Sequence, residues 1–314
     1  MVRPACRAAL ADATRCDGHG QAGGATAWLP LVELDAGHRV SLANWYSFAH
    51  RPLFAGSHDV PAQQLALTDL FGRMRPSTAR LTLYPLPETD GSAAMVREAL
   101  KAAGWWVRAQ PVGDSHWLAL NGMSHDQWWQ SRPGELRSTV TRKSKKNIVE
   151  IAISTDFDPG LWALYEAIYA ESWKPEEGTP GLLRAFAEVE GAAGRLRLGL
   201  ARIDGAAVAA QFWTVENGCA YIHKLAHTAA SVRASPGTLL TAALFQRVIS
   251  VDQVRRVDFG TGDDRYKEAW MNRHNRLWRI EAFNPARPQA WLPAIKSTFA
   301  EWQDHRKAPS HGQS

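Results

Sequence analysis

The stretch GCAYIHKLAHTAASVRASPGTLLTAALFQRVISVDQVRRVDFGTGDDRYKEAW, residues 218–270, carries the decisive pattern of the chain. Ala220, Tyr221, Ile222, His223, Lys224 and Leu225 form an apolar-rich run that suits a strand. A polar link over residues 228–233 follows. Ser235, Pro236, Gly237 and Thr238 then open a run in which Leu240, Leu244 and Val248, with Ala243 beside them, recur at helical spacing. That spacing gathers them on one face, which should pack against a sheet. Pro236 suits a first helical turn, where its missing amide hydrogen is not needed, and Ser235 is the expected N-cap. Arg256, Val257, Asp258 and Phe259 predict the next strand, closed by Gly260. A strand, a short loop holding Arg233 and Gly237, and a helix whose first amides point outward make an anion site, with phosphate its natural guest. The same residues also read as a plain structural cap.

Upstream, residues 195–203, 207–215 and 220–225 read as three extended runs. Asp204-Gly205 and Asn217-Gly218 join them as antiparallel hairpins. Before these, residues 149–153 read as extended and 161–171 and 182–189 as helices, with Ser172, Trp173 and Lys174 ending the first helix and the polar PEEGTPG following. The first part of the chain alternates in the same way. It offers a strand at 28–34, a helix at 62–71, a strand at 79–84, a helix at 93–103, and extended pieces at 105–109 and 117–120. That is an α/β succession. The aromatic segment around Trp45, Tyr46 and Phe48 reads as core or as a groove lining. Downstream, TGDDRYKEAWM reads as a loop and short helix, residues 275–283 as a last strand, and 291–302 as a terminal helix before a mobile tail.

A chain of 314 residues with 45% apolar composition fills two lobes. The expected division is a poorly ordered 1–25, an N-terminal lobe over 26–130, a C-terminal lobe over 131–285, and a terminal helix and tail over 286–314. A net charge of +5 and a pI near 9.2 favour acidic partners. The densest positive run, Arg137, Arg142, Lys143, Lys145 and Lys146, spreads around a helix, either as a solvated face or as contacts to an anionic partner. Cys6, Cys16 and Cys219 lie far apart without metal-ligand spacing, so no metal site and no disulfide framework is expected, and a cytoplasmic compartment is. No run is apolar and long enough for a secretory leader or a membrane span.

Ser172-Trp173-Lys174 after a helix, Ser235-Pro236-Gly237-Thr238 opening another, and DFGTGDDRYKEAW from Asp258 to Trp270 give the chain a family likeness. It resembles the GNAT acyltransferase superfamily. Within it the chain looks like the CelD-type branch of polysaccharide biosynthesis and, more remotely, the aminoacyl-tRNA-dependent Fem transferases of peptidoglycan bridges. The resemblance covers about residues 135–285, with the earlier part consistent with a second GNAT-like lobe. It implies a mixed α/β fold of two tandem GNAT-like lobes, each a twisted mixed sheet flanked by helices. The superfamily's usual loop is Arg or Gln, two residues, Gly, one residue, then Gly or Ala; here Arg233 is followed by glycine one place late, at Gly237.

By that resemblance Leu225, Ala226 and His227 orient a thioester, while Arg233, Ser235, Pro236, Gly237 and Thr238 bind the pyrophosphate of acetyl-CoA or another acyl-CoA. The implied reaction is acyl transfer to an amine on an amino sugar, glycan precursor or similar small molecule. Such transfer needs a deprotonated amine, a stabilised oxyanion and a proton for the leaving group. Asp263 and Asp264 are expected as bases or as carboxylates holding a cationic amine, or as helix caps. Tyr266 is expected to donate a proton or bind substrate, Lys267 to pair with an anionic group, and His223 to serve acid–base chemistry if it faces the cleft. Glu171 is a weaker base candidate, and Trp173 and Trp270 are expected to pack around the pocket. Two alternatives accompany this reading. One is an aminoacyl-tRNA-dependent transferase using the basic run at residues 142–146, the only setting in which a nucleic-acid partner is expected; the other is a non-catalytic binding subunit with the same fold.

Overall fold

The structure, a computed structural model, describes residues 14–15, 18–44, 46–262 and 265–297. The chain divides into two units, residues 1–113 with 276–314, and residues 114–275. The sequence had suggested boundaries near 130 and 285.

Short strands punctuated by glycine begin the first unit: β1 (Thr14–Arg15), β2 (Gly18–Ala22), β3 (Ala25–Leu29), β4 (Leu31–Asp35), β5 (His38–Ser41) and β6 (Leu53–Gly56). Helix α1 (Val60–Met74), strand β7 (Arg80–Pro87) and helix α2 (Ser92–Ala102) follow. β2 lies where the small-residue composition before residue 25 suggested poor order, and the reason is a close approach to α1. A Cβ on Gly20 would lie 2.3 Å from the Leu70 amide nitrogen and 2.4 Å from the Ala66 carbonyl oxygen. Only glycine lets the strand touch the helix backbone there. Asp59 caps α1 through its carboxylate and the Ala62 amide, 3.2 Å apart. The order β1–β4–β5–β7 with the later strand β14 (Arg273–Phe283) makes the main sheet of this unit, and β2–β3–β6 a smaller one. Leu67, Leu70, Phe71, Leu81, Leu83, Val96 and Leu100 fill its core.

The second unit takes its shape from two tight turns. Strand β8 (Trp106–Ala119), which belongs to this unit from Asp114 on, leads through α3 (His125–Gln130), α4 (Gly134–Ser144), β9 (Glu150–Ser154), α5 (Pro159–Ala170) and α6 (Pro180–Ala192). The meander β10 (Leu196–Ile203), β11 (Ala206–Glu216) and β12 (Cys219–His227) comes next. Asp204 and Gly205 have φ of 50° and 79°, and Asn217 and Gly218 have 51° and 75°. Positive φ at both central residues is what a two-residue turn between right-twisted strands requires, and Asp-Gly and Asn-Gly supply it at least cost. Helix α7 (Pro236–Ser250), β13 (Arg256–Thr261) and the short α8 (Arg265–Glu268) complete the unit. The strand order is β8–β13–β12–β11–β10–β9, antiparallel throughout except for β12 with β13. The apolar face of α7, with Leu240, Leu244, Phe245 and Val248 buried, joins Trp213, Val257 and Trp270 in one core.

Among the described residues no helix is long and apolar enough to cross a membrane. None of their His, Cys, Asp and Glu side chains gather into a metal-ligand cluster.

Candidate functional site

β12 and β13 pair in parallel only from Cys219 with Arg256 to Tyr221 with Asp258. Both strands run on, to His227 and Thr261. Parallel neighbours that stop pairing while each continues leave their carboxyl ends apart, the end at which α/β sheets hold ligands. His227 stands at that end of β12, and α7 begins shortly after it.

The start of α7 departs from the expected cap. Ser235 precedes the helix as predicted, but its backbone is left-handed (φ 56°, ψ 43°) and its hydroxyl makes no capping bond. A serine N-cap normally holds an extended backbone, from which its oxygen reaches the next amides; a left-handed one turns it away. A non-glycine residue held in this region stores strain, a feature concentrated at ligand sites. The Ser235 carbonyl accepts from the Leu239 amide at 3.1 Å, and Pro236 is buried. A Cβ on Gly237 would meet the His227 ring at 3.3 Å, so the imidazole lies directly against the helix start. His227 donates from Nδ1 to the Thr228 carbonyl at 3.1 Å. Thr238 sits in the first turn, half-buried.

Behind this start runs a polar chain through the core. Gln211, 1% exposed, faces Leu225 across the β11–β12 register. Its Nε2 donates to Thr241 Oγ1 at 2.7 Å and to the Gly237 carbonyl at 3.1 Å, while its Oε1 accepts from Trp213 Nε1 at 2.9 Å. Thr241, fully buried, donates to that same Gly237 carbonyl at 2.9 Å and lies 2.9 Å from the Tyr266 hydroxyl. The Thr241 hydrogen is therefore committed, so Tyr266 must donate to Thr241. The phenol ring is 38% exposed, yet its hydroxyl points inward, and burial of that oxygen pushes its pKa up to about 12, against a smaller opposite effect of Thr241 and Trp270. With its hydrogen given to Thr241, the oxygen keeps only lone pairs for any further partner. It accepts a hydrogen bond more readily than it releases a proton.

A second feature lies beside the 3-10 turn that precedes Ser235. Lys143, Lys146 and Arg233, with Ile148, Val149 and Ala234, line a cavity of about 210 Å³. The Lys143 ammonium donates to the Arg233 carbonyl and ties α4 to this turn. The adjoining cavity, about 340 Å³, shares Lys143 and continues along α7 past Leu239 and Ala242. Arg137 is used otherwise, donating to the Arg132 carbonyl and to Gln130.

The remaining expected residues divide clearly. His223 hydrogen-bonds Thr214 Oγ1 at 2.8 Å and packs against Phe186 and Phe212. The residue is half-buried overall but its Nδ1 is buried, and desolvation, helped by the Lys224 charge, lowers its pKa to about 3. A ring held neutral among phenylalanines is built as a core group. Lys267 is 6% exposed and donates to the carbonyls of Thr261 at 2.6 Å and Gly262 at 3.4 Å, closing the end of β13 and not facing outward. Asp263 and Asp264 lie outside the described residues. Trp270 is buried as expected, whereas Trp173 is 63% exposed and rests on His227, ring centroids 4.5 Å apart. Exposed Glu171 ends α5. Sequence reasoning passed over Gln211 and Thr241, although a glutamine inside the apolar run AAQFW is a visible signal, and over the buried pair of Lys224 with Glu177.

A sequence family described as an acetyltransferase (GNAT) domain matches residues 134–268. No curated protein sequence matches the chain. Among solved structures, the C-terminal domain of a putative lysylphosphatidylglycerol synthetase from Agrobacterium fabrum is similar at a TM-score of 0.57 and 13% identity, covering 92% of this chain and 89% of its own. The L-PGS of Bacillus licheniformis gives a TM-score of 0.57 and 13% identity, covering 91% and 88%. FemX gives 0.60 and 11%, covering 86% and 88%. These likenesses overturn the expected acyl-CoA donor: the structures matched are a putative lysylphosphatidylglycerol synthetase domain, L-PGS and FemX, the last of the Fem class to which the aminoacyl-tRNA alternative was tied. The chain has a mixed α/β fold of two sheet-containing lobes, similar to the folds of these synthetase structures and of FemX, and its residues 134–268 match a GNAT acetyltransferase domain.

Proposed function

We propose that the protein is a transferase that moves an aminoacyl group from a charged tRNA to an amine, such as that of an amino sugar or glycan precursor. The observation that carries this reading is the cavity lined by Lys143, Lys146 and Arg233 beside the strained start of α7, in a fold similar to FemX. Cations around a cavity beside the start of a helix suit a polyanionic donor. In the reaction the acceptor nitrogen attacks the ester carbonyl. A C–N bond forms, the C–O bond to the ribose breaks, and the proton lost by the amine passes to the departing ribose oxygen. Tyr266, with its hydrogen held by Thr241, accepts from the acceptor's N–H and aims the nitrogen lone pair at the carbonyl. Asp263, between Gly262 and Tyr266 in the sequence, is the proposed carboxylate for the amine.

The test is acceptor-dependent discharge of tRNA. Charged tRNA is incubated with the protein and an amino sugar, and remaining aminoacyl-tRNA is followed on acid gels with mass analysis of the acceptor. Binding is measured in parallel from low to physiological salt. The reading expects a product heavier by one aminoacyl residue and affinity that falls steeply with salt, by a log–log slope of about 0.7–0.9 per phosphate contacted. Absence of tRNA binding at low salt, together with no acceptor-dependent discharge, overturns it.

A further inference from the structure

Trp173 is the most exposed tryptophan among the described residues, at 63%, while Trp128, Trp162, Trp213 and Trp270 are fully enclosed. A large apolar ring left in water needs a reason, and its surroundings supply one. One neighbour is His227, at 4.5 Å between centroids and 43° between planes, and Lys174 Nζ lies 5.8 Å from the indole centroid. His227 in turn lies against Gly237 at the start of α7, and Arg233, Lys143 and Lys146 line the cavity just before it. An exposed indole, a cation beside its ring and a line of cations leading away form the combination that binds single-stranded nucleic acid: bases stack on the ring and phosphates follow the charges. The Trp173 loop returns to the sheet at Glu177, whose carboxylate lies 2.6 Å from Lys224 Nζ on β12.

We infer that Trp173 is a stacking platform for the unpaired terminal nucleobase of an RNA, with the backbone leading from it toward Arg233, Lys143 and Lys146. The inference rests on the donor reading above and adds to it the place of the donor's acceptor end.

The test measures anisotropy of a labelled short single-stranded RNA ending in adenosine, beside the same RNA lacking its last base, and of intact charged tRNA. The wild-type protein should bind the complete RNA about tenfold more tightly than the abasic one, and Trp173→Ala should bring both to the weaker value. Trp173→Phe should keep most of the preference, and Trp106→Ala, exposed in the other unit, should leave it unchanged. Melting of each variant checks that the fold persists. Equal binding of the complete and abasic RNAs by the wild type, or a Trp173→Ala variant as selective as the wild type, overturns the platform. If intact tRNA still binds and discharges in that case, the donor reading stands alone; if tRNA neither binds nor discharges, both fall.

Discussion

Lys224 and Glu177 form an ion pair of 2.6 Å between side chains only 8% and 13% exposed, with the ammonium 5.3 Å from the centroid of the Tyr169 ring. The pair pins the loop after α5 to strand β12. Removing one partner leaves the other charge buried without its counterion, which costs about 3 kcal/mol or more in such sites, whereas replacing both with apolar groups of similar volume costs far less. Lys224→Met and Glu177→Leu should each lower unfolding stability by about that amount, and the double variant should recover most of it. Urea denaturation of the four proteins gives the coupling directly. Additive single effects would show that the pair does not act as a unit.

His223 gives a pH signature of stability, not of catalysis. Its folded-state pKa of about 3 lies below the unfolded value of 6.5. Between those values the unfolded chain binds the extra proton and the native one does not, so stability is full above 6.5 and is lost as pH falls toward 3. The slope approaches about 1.4 kcal/mol per pH unit within that window. His38 and His50 are shifted downward as well, chiefly by burial, and push the same way. The comparison must therefore be between the wild type and His223→Gln. Going from pH 7.5 to 5.0 should destabilise the wild type more than His223→Gln, and equal losses in the two proteins would place the titration elsewhere. The pH–rate profile of His223→Gln should keep the shape of the wild-type profile.

Two glycines near or within α1 should respond in opposite directions. Gly20 meets the backbone of Leu70 and Ala66, which cannot give way as a side-chain tip does, so Gly20→Ala should destabilise the first unit by about 3 kcal/mol or more. An added Cβ on Gly72, in the last turn of α1, meets nothing within 4 Å, so Gly72→Ala should stabilise by up to about 1 kcal/mol. Thermal unfolding of both variants checks the pair, and a tolerated Gly20→Ala would mean that β2 does not lie on α1.

The elements of the second unit were legible in the sequence because their signals are local. Asp204-Gly205 and Asn217-Gly218 announce turns, and Leu240, Leu244 and Val248 announce a buried helix face. β2 was hidden because its glycines read as disorder until the helix they touch is known. β8 read as two extended pieces and is one strand, since Pro111 and Gly113 look like breakers in isolation. The site was harder to read for the same physical reason. Lys143 and Arg233 are far apart in sequence and meet only through a side-chain-to-carbonyl bond, and Gln211, Thr241 and Tyr266 come from three different elements. The roles of His223 and Lys267 turned on which way each side chain faces, and residue type does not specify that.

Thr241 and Tyr266 permit a prediction that separates structure from chemistry. Thr241 accepts from Gln211 and Tyr266 and donates to Gly237, so Thr241→Val removes the shared centre of the chain and leaves the Tyr266 hydroxyl without its acceptor. Such a loss costs about 1–3 kcal/mol. Tyr266→Phe takes away only one of the bonds to Thr241 and should cost about 1 kcal/mol. Their order should reverse in activity. Tyr266→Phe deletes the oxygen proposed to orient the acceptor and should lower kcat about tenfold or more with little change in donor affinity, because the phosphate contacts proposed for the donor lie at Lys143, Lys146 and Arg233. The phenol ionises near 12, so no alkaline limb below about pH 10 should belong to Tyr266. Rates measured from pH 6 to 10 on both proteins decide the matter. A limb near pH 9 that disappears in Tyr266→Phe would show an ionising phenol in place of one whose hydrogen is held by Thr241.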